Sequence, residues 1–331
     1  MDIAKVKADL DEFGWAVVPG ILTETECNEY SSSYRSWIAG LLPNGRWPYS
    51  MKSIIQSYRI GHLEQTWKIR VKSKPVFEAL WGTEKLLSSI DGVSIGRPPE
   101  DGITRFDNPG SHWLHTDQSE QKTGLHGYQG GVNLEEVLED DWCLQVLEGS
   151  HKFHSEFYQR FPETVKLSNA SDFCRLRETE MVDWFKEKGC QVKRVPCPKG
   201  GIVLWDSRTI HANAYAKEGR RSPNRWRYTV FVTMTPAIWS TVSDMEIKKR
   251  AYENMEMTSH WPSQGVSTFP DRNDYKSGEI RTILVLPEIA KTEEVRKLCG
   301  VIEYDFKDGQ SNGESFAPKW KSDNGRWCCI V

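Results

Sequence analysis

The chain has 331 residues, 38% of them hydrophobic and 27% charged, which is typical of a globular protein long enough to bury a sizeable core. Its formal net charge of -3 offers no basic face for phosphates, so we expect no nucleic-acid partner. It contains no apolar run of membrane-spanning length and no apolar leader, and its eight cysteines are scattered. These features predict a cytoplasmic protein with reduced thiols.

The first forty residues predict a helix, a strand and a second helix. Apolar residues recur at helical spacing over residues 2–13, and Gly14 is placed as a C-terminal cap. Residues 15–18 predict a short strand. Thr23 and Glu26 form the pattern of a capping box, which predicts a helix that continues to about Leu41.

The next part of the chain predicts less regular structure. Residues 42–70 are rich in Gly, Pro, Ser and aromatic residues and predict loops with short elements. A short helix is predicted over residues 75–81. Residues 87–95 predict strand pairing around Asp91-Gly92.

The remainder predicts a sheet interrupted by helices. Residues 104–147 have the rhythm of strands and turns, and residues 151–190 are predicted to be mostly helical. Strands are predicted over residues 191–195, 201–205 and 225–235, and helices over 243–257 and 292–298.

A polar tail is predicted from residue 307 onward, because Gly, Ser, Asn, Asp and Lys cannot bury enough apolar surface to become ordered. It ends in Cys328-Cys329-Ile330-Val331, which has the form of a prenylation signal with Cys328 as the lipidated residue. A single lipid would give only weak membrane association. An unmodified tail with two free thiols is the alternative.

The strongest chemical pattern is His115-Thr116-Asp117. Residues i and i+2 of a strand point the same way, so His115 and Asp117 would offer an imidazole and a carboxylate to one metal ion. His211 is the best candidate for a third ligand. Two histidines and one carboxylate on one side of a metal form the facial arrangement of non-haem Fe(II) oxygenases.

Two further segments and the order of the motifs carry a family resemblance. The segment Phe-Gly-Trp-Ala-Val-Val-Pro-Gly-Ile-Leu, the Gly-Ser-His-Lys run after Trp142-Cys143-Leu144, and the distal His211 follow one another as in the phytanoyl-CoA dioxygenase family of Fe(II)/2-oxoglutarate oxygenases, which this chain resembles over most of residues 8–240. Glu148 stands where that family usually has Pro, and Trp142 where it has Gly.

The resemblance implies a mainly β fold with flanking helices. Its core would be a double-stranded β-helix, the cupin-like jelly roll, over about residues 87–240, with an insertion at about 151–190. We therefore predict one domain over residues 1–306 and a flexible tail over 307–331.

The resemblance also implies the activity. Fe(II) would be held by His115, Asp117 and His211, and 2-oxoglutarate and O2 would be the cosubstrates. A small apolar substrate, such as a lipid, an acyl-CoA or a natural product, would be hydroxylated with release of succinate and CO2. Hydroxylation is the expected outcome because Asp117 is retained, whereas related halogenases lack that carboxylate.

The distal carboxylate of 2-oxoglutarate needs a cation, for which Arg is well suited. Arg227 and Thr229 form an Arg-X-Thr similar to the Arg-X-Ser of this oxygenase class, with Arg225 as the second choice. Asn213, Gln129 and Asn133 are further candidates to contact the 2-oxo acid. Arg220 and Arg221 are interpreted as solvated loop charges, and His112, His126, His151 and His154 are left out of the metal site.

Two alternatives stay open at this point. His115 and Asp117 could be a hydrogen-bonded pair with His211 a satisfied core residue. Alternatively, the chain could be an inactive metal-binding jelly roll that acts as a binding module or is recruited to a membrane through its tail. A metal-dependent hydrolase or isomerase on the same barrel would leave Arg227 without a purpose. The sequence selects neither the substrate nor the oligomeric state.

Overall fold

The computed structural model describes residues 1–102, 113–270, 280–313, 318–321 and 327–328. The helices are α1 (Ile3–Phe13), α2 (Glu24–Leu41), α3 (Glu64–Trp81), α4 (His154–Arg160), α5 (Val165–Ser171), α6 (Thr179–Glu187), α7 (Val242–Asn254) and α8 (Glu293–Leu298). The strands are β1 (Trp15–Val18), β2 (Ile54–Ile55), β3 (Leu86–Ser88), β4 (Val93–Gly96), β5 (His115–Thr116), β6 (Lys122–Thr123), β7 (Tyr128–Asn133), β8 (Cys143–Glu148), β9 (Cys174–Arg175), β10 (Gln191–Val195), β11 (Ile202–Asp206), β12 (His211–Ala214), β13 (Arg227–Pro236), β14 (Lys319–Lys321) and β15 (Trp327–Cys328).

The N-terminal elements begin and end where the local signals predict. Gly14 caps α1 in the left-handed conformation, with φ at 80°, and a Cβ there would lie 2.5 Å from Nδ1 of His151. At the start of α2 the Thr23 hydroxyl accepts from the Glu26 backbone N–H, while the Glu26 carboxylate accepts from the Thr23 N–H. The predicted capping box is confirmed.

Two antiparallel sheets form the centre of the molecule. The larger sheet has the order β1-β11-β7-β13-β4-β2, with β3 pairing at the far end of β13, and the smaller has the order β10-β8-β12-β5-β9. Leu144, Val146 and Val195 of the smaller sheet pack against Val203 and Trp205 of the larger. The fold is therefore a double-stranded β-helix with helices on its flanks, as the resemblance implied.

The insertion between β8 and β10 is mostly helical, as predicted. α4 and α6 pack Phe157, Phe161 and Phe185 together, and the Phe157 and Phe185 rings are stacked with centroids 5.4 Å apart. Leu114 and Ile210 belong to the same apolar cluster. The insertion thus supports the two residues that precede His115 and His211 in the chain.

The prediction for α3 was wrong. Residues 42–70 were expected to form loops and a short helix to begin at Pro75, whereas α3 has 18 residues and contains Pro75 in its interior. Proline removes one backbone hydrogen bond of a helix. Buried side chains on both sides of it, including Trp67, Ile69, Phe77 and Leu80, keep the helix continuous through tertiary packing.

β13 has the predicted apolar face, with Tyr228, Val230, Val232 and Met234 in one apolar cluster. Nearly all of its residues are buried, because β4 and β7 pair with it on either edge and other layers cover both faces. One further expectation needs correction. Arg220 was interpreted as a solvated charge. It is buried, and its guanidinium donates to Glu100 and Asp141.

The region after residue 306 packs against the domain where it is described. Nζ of Lys85 donates to the Asp308 carboxylate at 2.6 Å and to Oδ1 of Asn312 at 2.8 Å. β14 pairs with β6. The predicted boundary at residue 306 thus falls inside a segment that contacts the body, and the single domain and flexible tail stay predictions.

Parts of the predictions fall outside the described residues. These are His112 and the start of the sheet predicted from Thr104, together with Cys329 and Val331. Only the backbone of Cys328 is described, in β15, so its lipidation stays a prediction. No helix in the described part of the chain is both long enough and apolar enough to cross a membrane.

Candidate metal site

The three predicted ligands lie together between β5 and β12. His115 and His211 are directly opposite each other in the antiparallel pair, and their ring centroids are 4.3 Å apart. Asp117 follows β5 in a bend, with Oδ1 at 3.3 Å from Nε2 of His115 and Oδ2 at 3.4 Å from Nε2 of His211. One ligand atom from each of the three lies within 4.8 Å of the others. Strand β5 itself ends at Thr116, so the bend, and not a longer strand, directs the carboxylate toward the imidazoles.

The other nitrogen of each imidazole is fixed by the backbone. Nδ1 of His115 lies 2.7 Å from the Trp113 carbonyl oxygen, and Nδ1 of His211 lies 3.0 Å from that of Thr209. A carbonyl only accepts, so each Nδ1 carries the proton and donates. The lone pair of each Nε2 is then available to a metal, which is the usual way in which a ligating histidine is oriented.

The charge states suit metal binding. Burial lowers the pKa of His115, helped by the neighbouring His211, and this favours the neutral imidazole that can bind a metal. Burial alone would raise the pKa of Asp117, but the neighbouring imidazoles, that of His115 first, hold it well below the usual value of 3.8. An ionised carboxylate and the unprotonated Nε2 atoms are therefore presented to one point.

Gln129 supports the carboxylate. Its Nε2 donates to Oδ2 of Asp117 at 3.3 Å, from the strand β7 of the larger sheet. Asn133 lies four residues further along β7. Its side chain accepts a hydrogen bond from the Thr229 hydroxyl at 2.8 Å and donates one to the Gly131 carbonyl. Thr229 and Asn133 thus bind each other, whereas Gln129 holds a metal ligand.

Arg227 lies close to β12. Its Nη2 donates to Oδ1 of Asn213 at 2.9 Å, and Asn213 is two residues beyond His211, about 7 Å along the strand. Nε and Nη1 are buried and have no hydrogen-bond partner among the described residues. Burial lowers the pKa of Arg227 to about 10, so the guanidinium stays charged at neutral pH. Asn213 lines the cavity beside the metal ligands and stands between it and this cation.

Arg225, the second choice, is not available to the site. Its guanidinium donates to Glu136 and to the Asp141 carboxylate, in the network that also contains Arg220. The excluded histidines that are described lie away from the ligands as predicted. His126, His151 and His154 each place Nε2 within 3.0 Å of a backbone carbonyl oxygen, those of Lys319, Asp11 and Gln118.

A cavity of about 260 Å³ opens beside the three ligands. Six aromatic residues form part of its walls: Trp113, Phe173, Trp205, Phe231, Trp261 and Phe269. Three charged or titratable residues in its wall were missed at the level of sequence: Asp91, Asp172 and His260. Asp91 was assigned only a turn, Asp172 lies in the helical insertion, and Ser259-His260-Trp261 matches no motif. Nothing short of the folded chain brings them together.

Comparison with known proteins gives a fold and a distant relative. No family model matches the chain. Ava biosynthesis cluster protein O of Aspergillus versicolor is 27% identical over 226 residues, which cover 66% of this chain and 70% of that protein. The crystal structure of GlcNAc Inducible Gene 2 from Candida albicans matches with a TM-score of 0.64 at 11% identity, covering 95% of this chain and 80% of that chain, and this supports the fold.

A weaker likeness exists to the epimerase SnoN in complex with Fe3+, alpha ketoglutarate and nogalamycin RO. Its TM-score is 0.47 at 16% identity, with 71% of this chain and 84% of that chain covered. At that level the likeness carries no argument about this chain.

Proposed function

We propose that this protein is an Fe(II)- and 2-oxoglutarate-dependent oxygenase of the phytanoyl-CoA dioxygenase type. The observation that carries the proposal is the convergence of His115, Asp117 and His211 at one end of an aromatic cavity. This donor set is the facial triad of non-haem Fe(II) oxygenases, which leaves the remaining coordination positions open. The fixed Nδ1 protons and the ionised Asp117 support the same assignment.

The residues around Arg227 fit the cosubstrate. A buried guanidinium with two unused donors is costly unless an anion accepts from it. Arg227 is suited to hold the distal carboxylate of 2-oxoglutarate. The Asn213 side chain, which accepts a hydrogen bond from Arg227 in this structure, would either contact the same carboxylate or be displaced by it. The 2-oxo acid end would then lie toward the three ligands.

When bound, the iron and 2-oxoglutarate supply the oxidising chemistry, in which O2-dependent decarboxylation to succinate and CO2 is coupled to hydroxylation of a substrate C–H bond. The chain's own contribution is position and polarity. Gln129 keeps the Asp117 carboxylate oriented, the two backbone carbonyls fix the imidazoles, and the aromatic walls exclude water from the reacting centre.

A small natural product is the substrate class that we propose. The relative from Aspergillus versicolor carries the name of a biosynthesis cluster protein, which favours a natural product over a lipid or an acyl-CoA. The modest cavity also suits a compact molecule.

The test is anaerobic addition of Fe(II) and 2-oxoglutarate, followed by exposure to O2. We expect a weak visible charge-transfer band and slow succinate release from the wild type. Asp117→Ala should lose both, because the metal loses its only anionic protein ligand. Asp183→Ala, which changes an exposed carboxylate on α6, is the matched control and should behave as the wild type.

The outcome also separates the alternatives. A wild-type protein that binds Fe(II) without the band and without succinate would be the inactive metal-binding module. A protein that binds no Fe(II) would return His115 and Asp117 to a structural hydrogen-bonded pair.

A further inference from the structure

One carboxylate in the cavity wall has no part in the proposed metal site. Asp91 lies between β3 and β4 and is 7% exposed. Its Oδ1 accepts from the Gly92 N–H at 2.6 Å and from Nε2 of Gln56 at 3.3 Å. Its Oδ2 has no hydrogen-bond partner among the described residues, and Asp91 lines the same cavity as the metal ligands.

The backbone holds this carboxylate firmly in place. Nη2 of the buried Arg70 donates to the Asp91 carbonyl oxygen at 2.7 Å, so that guanidinium is engaged by backbone and makes no ion pair with the Asp91 carboxylate. The next residue, Gly92, packs closely against the backbone of Ile55, since a Cβ at Gly92 would lie 2.5 Å from the Ile55 carbonyl oxygen. The position of Asp91 is thus built into the sheet.

The other charges of the cavity have partners. The Asp172 carboxylate forms an ion pair with the buried Lys122. Asp117 lies between the two ligand histidines, and its Oδ2 is 3.9 Å from Nδ1 of His260. The Asp91 carboxylate therefore has no ion pair of its own among the residues that the structure describes, although it lines a cavity that is partly aromatic.

The surroundings of Asp91 favour a cation. An ionised carboxylate in a poorly hydrated wall is stabilised most by a positively charged hydrogen-bond donor. Trp113, Phe173, Trp261 and Phe269 line the cavity with aromatic rings, whose faces attract cations. An ammonium group satisfies both features, whereas a neutral hydroxyl satisfies only the hydrogen bond.

We propose that Asp91 is the anchor for an amino group of the primary substrate, so that the substrate class is an ammonium-bearing molecule with an apolar or aromatic body. This inference rests on the proposed function, because it assigns the substrate of the same cavity. It narrows the small natural product proposed above to a basic one.

The experiment is a binding titration that does not depend on turnover. The full chain is loaded with Mn(II) and 2-oxoglutarate without iron, and tryptophan fluorescence follows the addition of 2-phenylethylamine or of the neutral 2-phenylethanol. We expect the wild type to bind the amine about tenfold more tightly than the alcohol, which is the difference that about 1.4 kcal/mol gives.

Two variants remove the anchor in different ways. Asp91→Asn keeps the shape but not the charge, and Gln56→Lys places an internal cation beside Asp91. Both should bind the amine no better than the alcohol. Asp140→Asn, at a surface carboxylate that pairs with Arg221, is the control and should keep the preference. Thermal melting identifies any variant that has failed to fold, and the other variant then decides.

Equal binding of amine and alcohol by the wild type would overturn the inference, and so would an unchanged preference in both variants. Binding of 2-oxoglutarate to the Mn(II)-loaded wild type is measured in the same samples by calorimetry. If 2-oxoglutarate binds and the amine preference is absent, only the substrate assignment fails. If 2-oxoglutarate does not bind, the proposed function fails.

Discussion

Arg227 is buried, and within the described part of the chain its guanidinium donates a hydrogen bond from Nη2 alone, to Asn213. Removing one member of a hydrogen-bonded pair usually destabilises a protein. A substitution of Arg227 breaks no hydrogen bond of Nε or Nη1 to the described residues, because these atoms make none. A buried charge of this kind lowers the stability of the ligand-free protein but provides a binding site for an anion. Replacing Arg227 should therefore weaken ligand binding without lowering the stability of the fold.

Arg227→Met should therefore weaken 2-oxoglutarate binding by on the order of 100-fold, while the melting temperature of the metal-free protein stays the same or rises. Calorimetry and thermal melting measure the two effects. Arg225→Met, whose guanidinium binds Glu136 and Asp141 instead, should leave 2-oxoglutarate affinity unchanged. Normal affinity in Arg227→Met would remove this residue from the site.

Asp91 and His260 show what a residue-by-residue interpretation misses. Both line the cavity, and Nε2 of His260 is buried with no hydrogen-bond partner in the part of the chain that the structure describes. Neither belongs to a pattern, because the metal ligands that share their cavity are 24 or more positions away in the chain. The ligands His115 and Asp117 were found because they are two residues apart.

Among the secondary-structure elements, α2 depends most clearly on local sequence. Its capping box satisfies two backbone groups that would otherwise lack partners at the start of the helix, and Tyr30, Tyr34 and Ile38 then face the core. The capping residues Thr23 and Glu26 are close in sequence, so the start of this helix was predictable without tertiary contacts.

Thr23→Ala should lower the free energy of unfolding by about 1 kcal/mol, since the hydroxyl no longer accepts from the Glu26 N–H. Urea unfolding measures the change. Ser32→Ala, at an exposed position inside the same helix, should differ from the wild type by less than about 0.5 kcal/mol. A loss of equal size in both variants would mean that the cap contributes nothing specific.

α3 is the opposite case. Leu63, the residue at its N-cap, makes no side-chain hydrogen bond to the helix, and Pro75 interrupts its backbone hydrogen bonds, so these two local signals argue against a long helix. Trp67, Phe77 and Trp81 are nevertheless fully buried. Burial of such side chains is worth roughly 2–3 kcal/mol each, which is comparable to the cost of an internal proline and in sum exceeds it.

For the whole molecule, buried neutral histidines couple stability to pH. Burial lowers the pKa of His62 to about 3, of His126 to about 3 and of His154 to about 4. Unfolded histidine has a pKa near 6.5, so below that pH the unfolded chain binds protons that the folded chain does not. The stability that depends on these groups is complete above about pH 6.5 and is lost as the pH falls.

Between pH 6.5 and 5, each such histidine should lower the free energy of unfolding by up to about 1.4 kcal/mol for each pH unit of acidification. His62→Gln, which can still donate to the Glu256 carbonyl oxygen, should reduce the slope by about that amount. The measurement is the free energy of unfolding in urea at a series of pH values. An unchanged slope would show that His62 is already protonated in the folded chain.

The sequence by itself determined the features that depend on residues close together in the chain. The two caps of the N-terminal region, the His115 and Asp117 pair, and the helical insertion all follow from spacing over a few positions, because hydrogen bonds and side-chain periodicity act at that range. The third ligand, His211, and Arg227 required the family's order of motifs. Their contact with the rest of the site depends on strand pairing, which brings His211 opposite His115.

Only the tertiary structure decided the rest. Arg220 is buried because Glu100 and Asp141, distant in the chain, pair with it, and α3 continues through Pro75 because the core covers it. The wall that places Asp91 and His260 beside the metal ligands likewise forms from segments far apart in sequence. Burial and desolvation depend on all the neighbours of a residue in space, and a sequence lists only the neighbours along the chain.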